Sequence, residues 1–458
     1  MTPSAEARFA LKSRRVVLPG QAVPGPAVIV IDGGRIESVT AGDAAPKDAP
    51  VEDLGDLVVL PGGVDTHAHI NEPGRTDWEG FATATAAAAA GGVTTVVDMP
   101  LNSIPATTSL AALNTKAESA AGQCRIDYGF WGGIIPGNSA ELAPMIDAGI
   151  MGFKCFLIES GVDEFPMVGE AELRRAMPIL ASRGVPLLVH AELESPVSVA
   201  AGNPKSYGRY VASRPQRWEV DAIRMVIKLA AEFKCMTHIV HLSAGDALAD
   251  IVAARAAGVP LTAETCPHYL AFTAEEIPDG ATHYKCAPPI REAKNRERLW
   301  QGLAEGSIEF VVSDHSPCTP QLKLMDKGDF DHAWGGIAGL QFARAVTWTE
   351  MQRRGLGWDR LARWTSEAPA TFAGLKAKKG RIAAGQDADL VVFDDKSSFT
   401  LTAAMVKHRH SVTPYAGRQL SGVVRRTYLR GGVIFQEGQL PMTPRGHQLF
   451  RHHKGEQA

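Results

Sequence analysis

The 458-residue chain predicts an α/β fold: a (β/α)8 barrel carrying a small β-sandwich domain built from both chain ends. Three observations lead there. Eight apolar, strand-length runs alternate with helical stretches of roughly ten to fifteen residues, the pattern of a parallel α/β domain. Hairpin-like patterns gather near the two ends. Residues able to bind a metal follow the apolar runs, where the C-terminal mouth of a closed barrel would collect them.

The elements follow in order. Residues 14–59 read as short strands, with Asp32-Gly33-Gly34 as a hairpin turn between apolar runs. A matching pattern returns late in the chain: a strand pair over Gly380–Asp394, and another over Arg425–Gln436 around Gly431-Gly432. The small β-domain is therefore expected from 1–59 and 380–458, with the barrel over 60–379. Barrel strands are expected at Val58–Ile70, Val93–Met99, Tyr128–Ile135, Gly152–Leu157, Val185–His190, Thr237–Leu242, Leu261–Thr265 and Phe310–Asp314. The run Ala82–Ala90 reads as a helix stopped by Gly91-Gly92. The last residues, Arg451–Ala458, read as a solvated tail or as a contact to a neighbouring subunit.

Composition narrows the function. Apolar residues make up 45% of the chain, enough for a sizeable core, and the net charge is −3. There is no basic stripe, so neither nucleic acid nor an anionic membrane is an expected partner. The N-terminus lacks the apolar core of a secretory signal. The six cysteines include no Cys-x-x-Cys pair and read as reduced, buried thiols, so a cytoplasmic location is expected.

Six residues carry the chemistry. His67 and His69 lie two apart, which on a strand puts both imidazoles on one face. Lys154 ends an apolar strand, where burial lowers a lysine pKa. A neutral lysine can add carbon dioxide to become a carbamate, an anionic oxygen ligand that bridges two cations. His190 and His241 each follow a Val-rich strand. His238 competes with His241, but three residues apart on a strand they face opposite sides; His238 reads as structural. Asp314 ends its strand and suits a carboxylate that binds a metal and carries a proton, while His315 points away. Together these residues would hold two divalent cations, zinc first, with manganese, cobalt or iron(II) as alternatives. Metal binding lowers the pKa of water from about 15.7 to roughly 7, so a bridging hydroxide is the expected nucleophile, with Asp314 as general base and acid.

Four segments extend this reading. They are His67-Ala-His69-Ile-Asn71-Glu72-Pro73-Gly74-Arg75, Asp98-Met-Pro-Leu-Asn102-Ser, Phe153-Lys154-Cys155 through Gly161-Val-Asp163-Glu-Phe-Pro166, and Lys285-Cys286-Ala287-Pro-Pro-Ile-Arg291. With them the chain resembles the amidohydrolase superfamily over nearly its whole length. The likeness is to the cyclic-amidase branch of dihydropyrimidinases, dihydroorotases and allantoinases, and within it to the allantoinase family. The resemblance implies metal-dependent hydrolysis of the hydantoin ring of (S)-allantoin to allantoate, a carboxylated Lys154 and a homotetramer. It also implies substrate contacts through backbone near Ala287 and Gly339 and side chains of Asn71 and Ser316. Cys155 and Cys286 would stand near the pocket. The Trp334-Gly335-Gly336 stretch after the charged Lys323–His332 reads either as a lid with glycine hinges or as a surface loop. Dihydroorotases carry arginine where Asn71 stands, and asparagine cannot form that bidentate ion pair with a carboxylate. A hydantoinase, a dihydroorotase-type amidase and a non-catalytic scaffold of the same fold remain the alternatives. The filled ligand set argues against the scaffold.

Overall fold

The computed structural model describes residues 7–198 and 202–451. The reading of the N-terminus as unlike a signal, and of the final tail, falls largely outside them. Five strands open the chain: β1 (Phe9–Val16), β2 (Gly25–Asp32), β3 (Arg35–Ala41), β4 (Val51–Asp53) and β5 (Val58–Pro61). β2 and β3 form an antiparallel hairpin with Asp32 opposite Arg35. Gly33 and Gly34 both have positive φ (54° and 78°), as a two-residue turn of this hand requires.

The barrel follows. Its strands are β6 (Gly63–Ala68), β7 (Val93–Asp98), β8 (Asp127–Phe130) with its continuation β9 (Gly132–Gly133), β10 (Phe153–Phe156), β11 (Leu187–His190), β12 (Thr237–Ile239), β13 (Leu261–Thr265) and β14 (Phe310–Val311). They pair in parallel and in chain order. Bonds across the last gap close the ring: His69 N–H donates to the His315 carbonyl at 2.7 Å, and Ser313 N–H donates to Asp65 at 3.0 Å. Burial runs through every position of most barrel strands, because helices cover one side and packed side chains fill the other. The Ala-rich helix Phe81–Ala90 stops at Gly91, where a Cβ would lie 2.4 Å from the Gln341 carbonyl oxygen.

The chain then returns to the first sheet through β15 (Leu390–Thr400), β16 (Gln419–Leu429) and β17 (Gly432–Gln436). The result is one mixed, eight-stranded sheet made from both chain ends, in the order β17-β16-β15-β5-β1-β2-β3 with β4 beside β1. Phe9, Leu11, Ile29, Ile31, Leu390, Val392 and Tyr428 form its separate apolar core.

Two expected strands change. Val58–Ile70 is not one strand: Val58–Pro61 pairs with β15 and β1, and the barrel begins only at Gly63. Gly62 stands at the crossing because a Cβ there would meet Thr94 at 2.3 Å. Gly380–Asp394 is not a strand pair. Residues 381–389 are irregular, with a turn at 384–385 and a single bridge from Asp387 to Arg35, and Asp387 and Asp389 are drawn to the buried Lys379. The segment His447–Leu449, just before the expected tail, packs on the barrel. It brackets Tyr128 of β8 with two backbone bonds, and Arg451 donates to the carbonyls of Met151 and Phe372.

Candidate metal centre and active site

The strand ends bring the six expected residues together. His67 lies in β6 and His69 just past it; Lys154 lies in β10, His190 closes β11, His241 follows β12 and Asp314 follows β14. All six are buried. His67 Nε2 is 3.1 Å from Asp314 Oδ1 and 3.0 Å from Lys154 Nζ, and His69 Nε2 is 3.7 Å from the same Asp314 oxygen. The His190 and His241 rings are 4.6 Å apart between centroids, and His241 is 5.3 Å from His67. His241 and Asp314 both hold positive φ (36° and 43°), a costly backbone state for such residues that recurs at functional sites.

The electrostatics suit cations. Burial lowers Lys154, with Asp314 and Glu264 pulling the other way, and burial raises Asp314. Burial also holds His67, His69 and His241 well below the ordinary histidine range, so their imidazoles are neutral and offer lone pairs. Among the described residues, the buried Nδ1 atoms of His69, His190 and His241 have no hydrogen-bond partner. Unpaired imidazole nitrogens beside a carboxylate and an easily neutralised amine fit divalent cations.

Three carboxylates behind these residues escaped sequence reasoning. Glu264, at the end of β13, takes His67 Nδ1 at 2.5 Å and His238 Nε2 at 3.1 Å, and accepts from His241 N–H at 3.4 Å. That leaves His67 Nε2 turned toward Lys154 and Asp314. Burial pushes Glu264 up to about 8, and cations at His67 would work against that rise. His238 is fully bonded, with Thr262 on its other nitrogen at 2.7 Å, as its structural reading requires. Glu192 bonds His190 Nε2 at 2.8 Å and Arg214 Nη2 at 2.5 Å. Burial alone would raise Glu192, but Arg214 and His190 outweigh it and hold the carboxyl well below its usual range. Asp65 accepts from the backbone N–H of His67 and of Ser313, tying the first strand end to the last. The only local signal was an acidic residue inside or just after an apolar strand.

A cavity of about 570 Å³ opens above the cluster, lined by His69, Lys154, His190, His241 and Asp314 with Asn102, Ala287, Ser316 and Trp334. Its size is that of a small-molecule site. Ser316 donates its hydroxyl to Asp314 Oδ1 at 2.8 Å. Asn71 stands outside the lining, with Nδ2 donating to the Pro317 carbonyl at 3.2 Å. Gly339 N–H donates to His315 Nδ1, and its carbonyl accepts from Phe342 and Ala343. Cys155 and Cys286 also lie outside the lining, and burial pushes both thiols up to about 12. The stretch after Lys323 does reach the cavity, through Phe330–Gly336. Lys323 Nζ donates to the carbonyls of Trp334 and Gly336, and Lys285 Nζ to those of Ala333 and Asp331. Gly336 is no simple hinge: a Cβ there would lie 2.3 Å from the Ser316 carbonyl oxygen.

Residues 58–434 match the model of the amidohydrolase family. The chain is 49% identical to an allantoinase of Streptomyces avermitilis, over 97% of this chain and 99% of that protein. It is 42% identical to an allantoinase of Saccharomyces cerevisiae, over 96% and 98%. Among solved structures it resembles the L-hydantoinase (dihydropyrimidinase) of Arthrobacter aurescens with a TM-score of 0.90 and 30% identity, covering 97% of this chain and all of that one. With its strand-end histidines, lysine and aspartate gathered at one mouth of a closed barrel, the chain belongs to the amidohydrolase family.

Proposed function

We propose that the protein hydrolyses the hydantoin ring amide of (S)-allantoin to give allantoate. The observation that carries the choice of a neutral ring is the state of the cations around the cavity. Arg214 is held by Glu192, Lys285 by the loop carbonyls, and Lys154 belongs to the ligand cluster. Among the described lining residues no arginine or lysine is left to pair with a substrate carboxylate, which dihydroorotate carries and allantoin does not. The allantoinases of similar sequence support the same reading.

His67, His69, Lys154, His190, His241 and Asp314 would hold two divalent cations, with Lys154 as its carbamate. Bound there, the cations lower the pKa of water and polarise the ring carbonyl. Asp314 takes the proton of the attacking water and returns it to the departing ring nitrogen, while the Ser316 hydroxyl holds Oδ1 in place. Glu264 and Glu192 fix the rings of His67 and His190. Trp334 and the clamped loop keep solvent from the reacting bond. Ser316 and the backbone at Ala287 contact the ring. A homotetramer is the expected assembly, to be checked by sedimentation.

The test is hydrolysis of allantoin by purified protein, before and after chelation and after return of metal with bicarbonate. Dihydroorotate, dihydrouracil and hydantoin serve as competitors. Metal-dependent turnover of allantoin above the other rings is expected. Faster turnover of hydantoin or dihydrouracil would reassign the substrate, and a metal-free active protein would remove the mechanism.

A further inference from the structure

Beside the six-residue cluster, around its Asp314, lie two further buried donors for which the proposed reaction has no use. β13 is followed by Cys266 and by a short helix, Pro267–Ala271, with His268 in its first turn. The Cys266 thiol, a nitrogen of His268 and a carboxylate oxygen of Asp314 all lie within 4.8 Å of one another. His268 is fully buried, and among the described residues neither of its ring nitrogens has a hydrogen-bond partner. A buried imidazole normally finds at least one, because leaving it bare costs the free energy of its lost hydration. His238, also fully buried, shows the ordinary solution, with both nitrogens bonded. His268 is thus a donor without an acceptor, held beside sulfur and a carboxylate.

Sulfur, imidazole and carboxylate together suit zinc or cadmium, and suit manganese or magnesium poorly. The six-residue cluster contains no sulfur, so the two groups differ in chemistry even though they share Asp314. Asp314 also lines the cavity, which gives a cation a path from solvent.

We propose that Cys266, His268 and Asp314 form a further site for a thiophilic divalent cation, and that its occupancy inhibits the enzyme. The inhibitory part rests on Asp314 acting as the proton carrier of the proposed hydrolysis. On binding, the Cys266 S–H bond breaks, a sulfur–cation bond forms and the proton leaves to solvent. The cation then claims the carboxylate that would otherwise accept a proton and return it. Excess zinc or cadmium slows turnover, while excess manganese does not.

The test starts from wild-type protein holding two equivalents of its own metal. Cadmium is added, bound metal is counted by mass spectrometry, the sulfur-to-cadmium charge-transfer band is recorded in the ultraviolet, and allantoin hydrolysis is followed. One further equivalent should bind, the band should appear with it, and the rate should fall at least about tenfold. In Cys266→Ala the extra equivalent and the band should vanish, and cadmium should no longer change that variant's own rate. His268→Gln should weaken both binding and inhibition. Binding without the band in wild type, or a band that survives in Cys266→Ala, overturns the site. So does the absence of an extra equivalent, which would leave a water-lined niche only. Inhibition that persists in a Cys266→Ala protein lacking the band overturns the link to Asp314. If no ring is hydrolysed at all, the reading of the activity fails, while the band and the metal count still decide the site.

Discussion

Glu264 is bonded on two sides, to His67 and to His238, and it also meets the backbone of His241. A carboxylate behind a metal-binding histidine fixes its tautomer and ring angle. Glu264→Gln keeps the shape but loses the charge, so metal affinity should fall about 10–100-fold; titration with a chelator would measure it, and unchanged affinity would remove the role. Lys154→Ala should lose metal together with activity, and short added carboxylates should restore part of both. Metal counts on the variant, with and without acetate, decide it; a fully active, fully loaded variant would end the role proposed for Lys154. The six clustered residues were legible because a polar residue at the end of an apolar strand is costly to bury unless it has something to bind. Glu264 and Glu192 were not, since their partners come from strands far away in sequence. The bonds of Gly339 were not legible either, because a glycine shows nothing of where its N–H and carbonyl bond.

At the scale of elements, the loop over the cavity is held by two ammonium groups rather than by apolar packing alone. Lys323 is buried, and Trp334 lies edge-on to Trp78 with ring centroids 4.7 Å apart. Burial, with Lys323 and Arg214 adding to it, pulls Lys285 down to about 8. An unfolded lysine titrates near 10.4. Between those values the unfolded chain keeps a proton that the folded chain has released, so stability gains with rising pH through that window. The thermal midpoint of wild type, measured against Lys285→Met, should therefore improve from pH about 8 to about 10. A constant gap between the two proteins would show that Lys285 does not titrate there. Element types were readable from periodicity, but two boundaries were not. Within Val58–Ile70 only Pro61-Gly62-Gly63 marks the crossing, and the buried segments on either side do not show that they join different sheets. Gly380–Asp394 mimics a hairpin, although its aspartates serve a buried lysine.

That lysine matters to the whole molecule. Lys379 Nζ lies 2.6 Å from Asp127 at the start of β8, and 2.9 and 2.7 Å from Asp387 and Asp389 before β15. It joins the barrel to the sheet made by the chain ends, and Arg430 adds a second contact to Asp127. Removing one member of a buried ion cluster leaves the others uncompensated, at a cost of about 3–5 kcal/mol. Lys379→Met should lower the thermal midpoint measured by calorimetry, and an unchanged midpoint would show that the cluster contributes little. The same connectivity has a consequence for synthesis. Leu390 sits opposite Pro61, so β5 waits for a partner that is made long after it. At translation rates of about 5–20 residues per second, that apolar edge stays without its mate for tens of seconds. A nascent chain of this protein is therefore a natural client for chaperones that cover apolar strands near the ribosome, and a ribosome stalled before β15 would present a sticky, half-made sheet.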